Sequence, residues 1–259
     1  MDISRIVSGA SLYDTSAVSG LASAATQKSV DRLNRNVEST RVQLSAYGQV
    51  KSATAEVETA GKSLQKLAAN SSFDDFRKAV QGLAAAVNNE RAAVNRTTGA
   101  ANSENATAGA LSGDFRVRGA AGQIQRALQG NAGANEKALR QLGISVAQNG
   151  TVSVDSKKLE QAFAANPGQV SETLNNIGKG VAETATRQLS AGGNVGSGIN
   201  RLNERLNGLQ QSQFDYQSQL QAAQRQIDQR NQRVEQIQTQ TQQAFGLNGV
   251  SAYKGVFSL

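Results

Sequence analysis

A chain of 259 residues with 38% hydrophobic and only 4% aromatic residues, no Trp and a mean hydropathy of −0.43 is long enough for one large or two small domains. It offers little material for a thick globular core, so elongation is the expected use of it. Cys and His are both absent, which excludes thiolate and imidazole catalysis, disulfides and the usual zinc or iron ligands.

No arrangement of carboxylate, Lys, Ser or Tyr points to an enzyme, and neither a cofactor nor a metal is expected. The net charge of +7 and pI near 9.9 are spread thinly, without a basic stripe interleaved with aromatics, so no nucleic-acid partner is expected. No apolar run is long enough to span a membrane. The start, Met1-Asp2-Ile3-Ser4-Arg5, does not read as a cleavable secretory signal.

Residues 1 to 20 carry Ile3, Ile6, Val7, Leu12, Tyr13 and Val18 with no sustained period, and read as a tail that orders only when covered. A long helix is predicted from about Leu21, with Val30, Leu33, Val37, Thr40, Leu44 and Tyr47 in alternating steps of three and four. After Tyr47 the apolar set moves to Val50, Ala53, Val57, Ala60, Leu64 and Leu67. That three-residue slip overwinds a coiled coil locally, and Gly48 beside it predicts a bend.

Ser71-Ser72-Phe73-Asp74-Asp75 reads as a helix start, Ser capping and carboxylates in the first turn. The helix carries Phe73, Phe76, Val80, Leu83, Val87 and Val94 on one face and ends near Thr97. Residues 98 to 113 read as a loop. Asp114 caps a short helix bearing Phe115, Val117, Ala121, Ile124 and Leu128. Asn135 starts another, which ends at Leu142 with Gly143 as its left-handed stop.

Residues 144 to 154 give the one clear β signal: Ile144 and Val146 before Asn149-Gly150, Val152 and Val154 after it, with Asn-Gly favoured for a tight hairpin turn. Asp155 caps a helix with Leu159, Ala162 and Phe163. Asn166-Pro167 opens the next, followed by Val170, Leu174, Ile177, Val181 and Leu189. The glycines between 192 and 198 read as a hinge.

The last helix dominates the chain. Ile199, Leu202, Leu206, Leu209, Gln213, Tyr216, Leu220, Ala223, Ile227, Arg230, Val234, Ile237, Thr241 and Ala244 hold a heptad seam for six repeats, and the positions between are almost all polar. At about 1.5 Å per residue the helix would run about 70 Å and needs partner helices. Gln213 and Thr241 put polar groups in the seam, and Arg230 can lay its methylenes along it. The N-terminal helix is its natural partner, and both termini are expected to project from the same end.

The fold class is therefore mainly α: a long coiled-coil leg from the N- and C-terminal helices plus a small helical body with one β-hairpin. The leg is assigned to 1–43 with 205–259, and the body to 44–204. The residues expected to carry assembly are Val30, Leu33, Val37, Leu44, Tyr47, Leu202, Leu206, Leu209, Tyr216, Leu220, Ile227, Val234 and Ile237 along the seam. In the tails they are Ile3, Ile6, Leu12, Val250, Tyr253, Val256, Phe257 and Leu259.

Three stretches, taken as an ordered set, resemble the flagellar filament-capping protein family, also called hook-associated protein 2 or FliD. They are Leu44 to Ala53 (LSAYGQVKSA), Thr107 to Arg118 (TAGALSGDFRVR), and Leu139 to Phe163 with Asn166-Pro167 and Val170. The closing coiled-coil helix matches as well. The resemblance implies a secreted part of the bacterial flagellum, exported unfolded through the type III apparatus and self-assembling as a ring. Its implied partners are itself, flagellin, the hook-associated proteins and a cytoplasmic export chaperone at the C-terminal helix.

Family members carry β-rich head domains after the N-terminal leg helix, whereas here Leu67 passes straight into Phe73. This leaves three structural readings: a reduced cap, a junction piece, or a relative recruited elsewhere. A reading of another class also stays open, a soluble regulator or export-related protein that holds a partner helix on the same seam.

Overall fold

The structure, a computed structural model, describes residues 15–100, 108–130 and 133–256. The chain forms two compact units. The terminal unit comprises the described residues up to Asn34 and from Gly208 onward, and the body unit runs Arg35–Asn207. Among the described residues the elements are α1 (Thr15–Leu64), α2 (Phe73–Thr98), α3 (Phe115–Gln129), α4 (Glu136–Gln141), β1 (Ile144–Val146), β2 (Val152–Val154), α5 (Ser156–Ala165), α6 (Pro167–Leu189) and α7 (Asn194–Val256). The molecule is mainly α with one antiparallel hairpin, as its apolar periodicities predict. The first helix starts earlier than expected, at Thr15, so 15 to 20 are helical.

Most helix starts follow from capping. Ser72 and Asp75 form a reciprocal capping box at α2. Asp114 caps α3 through Arg116 N–H at 2.9 Å, and Asp155 caps α5. Asn166 caps α6, with Pro167 in its first turn. Asn135 does not cap: its side chain makes no cap bond at α4, and its Nδ2 instead donates to the Leu128 carbonyl at 3.3 Å. Gly143 stops α4 at φ +73°.

The body has two apolar clusters. The larger takes Val57, Leu64 and Leu67 from α1 and the turn after it, Phe76, Val80, Leu83 and Val87 from α2, Ile124 and Leu128 from α3, and Leu174, Ile177 and Val181 from α6. The hairpin adds Ile144 and Val152. Phe163 of α5 tilts against Phe73 and Phe76 at centroid distances of 5.6 and 4.9 Å. The smaller joins Ala46, Tyr47 and Val50 of α1 to Val94, Leu111, Val117, Ala120 and Val195.

On α1 the buried positions Val37, Thr40, Tyr47, Val50, Thr54, Val57, Gly61 and Leu64, with half-buried Leu44, show the slip at Tyr47 to Val50. Thr40 and Thr54 take core places because each hydroxyl returns a hydrogen bond to its own helix, to Asn36 and Val50 carbonyls at 2.8 and 2.9 Å. The helix passes unbroken through exposed Gly48. α1 and α6 cross where a Cβ on Gly178 would stand 2.6 Å from the Gly61 carbonyl oxygen.

The hairpin corrects one expectation. Its pairs are Ile144 with Val154, Ser145 with Ser153 and Val146 with Val152. Ala147 N–H then bonds the Thr151 carbonyl at 2.9 Å, and Gly150 N–H bonds the Ala147 carbonyl at 2.7 Å. The loop is therefore three residues, Gln148 to Gly150, with Gly150 at φ +80°, rather than a two-residue Asn-Gly turn. A turn centred on Asn149-Gly150 would shift the pairing by one and set Val146 against Ser153, dividing the apolar side chains between faces. The observed register keeps Ile144, Val146, Val152 and Val154 on one face. Asn88 of α2 closes the edge of β2, donating to the Val152 carbonyl at 2.9 Å and accepting its N–H at 2.8 Å.

The expected hinge is also corrected. Only 190 to 193 lie between α6 and α7, so Gly196 and Gly198 fall inside α7. A Cβ on Gly196 would lie 1.9 Å from the Ser190 carbonyl oxygen, and one on Gly198 would lie 2.3 Å from the Tyr47 ring. These glycines permit close approach and do not provide slack.

Candidate assembly surface

In the terminal unit, Val30 and Leu33 of α1 and Leu209, Gln213 and Tyr216 of α7 are half-buried. Gln213 Nε2 donates to Asn34 Oδ1 at 2.7 Å, so this polar seam position ties α7 to α1 across 179 residues of sequence.

Further along α7 the seam is open. Leu220, Ile227, Val234 and Ile237 are 38%, 37%, 47% and 62% exposed, and Phe214, off the seam, is 65% exposed. From Leu220 to Ile237 the helix advances about 26 Å at 1.5 Å per residue. Over that length a row of large aliphatic side chains stands exposed. Its flanks are mostly Gln, Arg, Asn, Asp and Glu, including the helix-surface pair Gln224 with Asp228 at 2.9 Å.

The remaining seam candidates belong to the body. Val37 and Tyr47 are buried, and Leu44, Leu202 and Leu206 half-buried. Leu202 packs on the smaller apolar cluster. Tyr47, expected on the seam, is a core residue whose hydroxyl donates to Asp114 Oδ2 at 2.6 Å. Burial first, then the bond to Asp114 and its charge, hold the phenol well above its usual range, with Arg201 and Arg116 opposing. Of the tail residues, Val250, Tyr253 and Val256 fall on the helical backbone of α7. Ile3, Ile6, Leu12, Phe257 and Leu259 lie outside the described residues.

Sequence reasoning passed over Glu90. It sits on α2 between Val87 of the larger cluster and Val94 of the smaller, 1% exposed, with Oε1 unbonded. Burial pushes its carboxyl up to about 7, against a smaller downward pull from Arg91. Its place on the helix's apolar stripe was the available signal: a carboxylate at a core position of an amphipathic helix. Among the described residues no group of three or more acidic side chains could hold a metal ion, and no helix is long and apolar enough to cross a membrane.

Residues 42–246 match the family described as "Flagellar hook-associated protein 2 C-terminus". No curated protein matches the chain. The matched span takes in the whole body from Val42 and α7 through the open seam, and includes each of the three stretches that carry the resemblance.

Proposed function

This chain belongs to the flagellar hook-associated protein 2 family, and from that membership we propose that it is a cap-like structural component. It assembles at the distal end of the filament or hook and promotes flagellin polymerisation. The observation that supports the reading is the open seam Leu220–Ile237 on α7. A protein whose work is assembly needs an apolar surface that stays uncovered until neighbours arrive.

In this reading several copies form a ring, α7 is the leg, and the tails bury Ile3, Ile6, Leu12, Val250, Tyr253, Val256, Phe257 and Leu259 against neighbouring subunits. Each such side chain contributes about 1.5 to 3 kcal/mol when fully covered. Flagellin and hook-associated proteins are the partners outside the cell. A chaperone holds the C-terminal helix before type III export.

The test is a strain lacking the gene, with filaments counted by electron microscopy and flagellin measured in the medium. Missing filaments and leaked monomeric flagellin are the expected result. Normal filaments with little leakage remove the capping role. If the protein then travels with sheared filaments, it is a junction piece; if it stays in the cytosol, it is a helix-binding regulator.

A further inference from the structure

Away from the seam, the body unit carries a cleft of about 260 Å³ lined by α1, the turn before α3 and the first turns of α7. Ala110, Leu111 and Leu202 give it apolar surface, and Arg201 and Arg205, one helical turn apart, line it with charge. Asp114 is the one carboxylate among the lining residues. Its oxygens are already engaged, Oδ1 by Arg116 N–H at 2.9 Å and Oδ2 by the Tyr47 hydroxyl at 2.6 Å.

Among the described residues, the two guanidiniums are not engaged. Arg41, Arg77 and Arg140 each pair with a carboxylate three or four residues away on the same helix. Glu204 stands three residues from Arg201, yet neither Arg201 nor Arg205 forms an ion pair with it or with any other described residue. A third positive charge acts on a lining residue, since the fields of Arg116 and Arg201 both reach the Tyr47 hydroxyl. Among the described residues the cleft thus holds more positive than negative charge, and two guanidiniums without a carboxylate partner.

We infer that this cleft is a binding site for a carboxylate, with Arg201 and Arg205 as its receptors and Ala110, Leu111 and Leu202 taking the carbon stem behind it. Two guanidiniums present parallel N–H donors that match a carboxylate in bidentate fashion. Inorganic phosphate would use the donors but leave the apolar wall uncovered, so a ligand with a hydrocarbon stem is preferred. That ligand is either an acidic side chain of another protein chain or a small free carboxylic acid. The assignment stands independently of the capping role.

The test is phenylglyoxal labelling of the full-length protein, read residue by residue by mass spectrometry. The probes are acetyl-Ala-Glu-Ala-amide, its Gln analogue, glutarate and inorganic phosphate. Labelling of Arg201 and Arg205 should slow with the Glu peptide or glutarate and be unchanged by the Gln peptide. Arg230 and Arg233, exposed on the same helix, should label at the same rate throughout.

Saturation by the peptide at lower concentration than glutarate assigns a protein ligand, and the reverse order a small free acid. Arg201→Gln or Arg205→Gln should each weaken the protecting probe about tenfold, the loss expected for one charge-assisted hydrogen bond, whereas Arg230→Gln should not. No slowing with any probe, equal slowing at Arg230 and Arg233, or phosphate protecting as well as the carboxylates would overturn the assignment. Because the wild-type footprint decides, the result does not depend on any variant folding.

Discussion

The Tyr47 hydroxyl and Asp114 Oδ2 lie 2.6 Å apart although 67 positions separate them in the chain. One carboxylate therefore does two jobs: Oδ1 caps α3 through Arg116 N–H, and Oδ2 fastens that helix start to the middle of α1. The Tyr47 ring in turn lies against Gly198 of α7. Three helices meet on a single phenol.

Tyr47→Phe should destabilise the body by about 1 to 2 kcal/mol, because it leaves Asp114 Oδ2 without its donor at a half-buried site. Gly198→Ala should cost more, about 3 kcal/mol, since the new methyl meets the ring and the packed core cannot move aside. Urea unfolding followed by circular dichroism checks both. Equal midpoints for Tyr47→Phe and wild type would show that the bond contributes nothing.

Glu90 should give the body a stability that falls as pH rises. Its carboxyl titrates near 7 when folded, against an ordinary 4.5. Below pH 4.5 it is protonated in both states. Between 4.5 and 7 the folded form keeps a proton that the unfolded chain has released, so stability drops by up to about 1.4 kcal/mol per pH unit, about 3 kcal/mol in all. Glu90→Gln should remove this slope, measured as the urea midpoint from pH 5 to pH 8. A variant that keeps the wild-type slope assigns it to other groups.

Asn88→Ala should expose what its amide does for β2. The Val152 N–H and carbonyl lose their partner, at a cost of about 1 to 3 kcal/mol. Hydrogen exchange at Val152 should speed up more than at Val181 in the core of α6. Uniform acceleration across the body would mean that Asn88 supports global stability alone.

Two glycines on α1 should respond in opposite directions. At Gly61 a Cβ would lie 2.8 Å from the Gly178 carbonyl oxygen, and at Gly48 it meets nothing within 4 Å. Gly61→Ala should therefore force α6 away and destabilise, whereas Gly48→Ala should stabilise by about 0.5 to 1 kcal/mol. Thermal unfolding separates them. A loss of stability in Gly48→Ala would mean that the helix needs to yield there.

Replacing Leu220, Ile227, Val234 and Ile237 together by Ser should abolish concentration-dependent self-association in sedimentation while leaving the helical circular dichroism of the monomer nearly unchanged. Removing the last dozen residues should act likewise if the tails share the interface. A large loss of helicity in either protein would show that these residues serve the fold and not assembly.

Helix positions were legible because capping and period act locally: Ser72, Asp114, Asp155 and Asn166-Pro167 stand where the helices begin. What the sequence could not reveal depended on contacts between distant residues. Asn149-Gly150 advertises a two-residue turn, but the partition of Val146 and Val152 to one face overrules it. The glycines from 192 to 198 look like slack until Tyr47 and Ser190 arrive beside them. The seam reads as continuous from Ile199 to Ala244, yet its cover changes along the helix: half-buried through Tyr216, exposed from Leu220 to Thr241. That change of cover is a property of the folded chain, beyond the reach of periodicity.

The turn from 65 to 72 bears on how such a protein is enlarged. Its Leu67 carbonyl accepts from Ser171 Oγ at 2.9 Å and Asn175 Nδ2 at 3.2 Å, so its first half is fastened to α6, while Ala68 to Asn70 are exposed. The larger apolar cluster closes beneath it without borrowing a side chain from 68 to 72. Lengthening a surface loop costs only about 0.6 kcal/mol per doubling. A foreign domain spliced in after Ala68 would therefore ride on a finished foundation, and the body is a chassis ready for graft engineering.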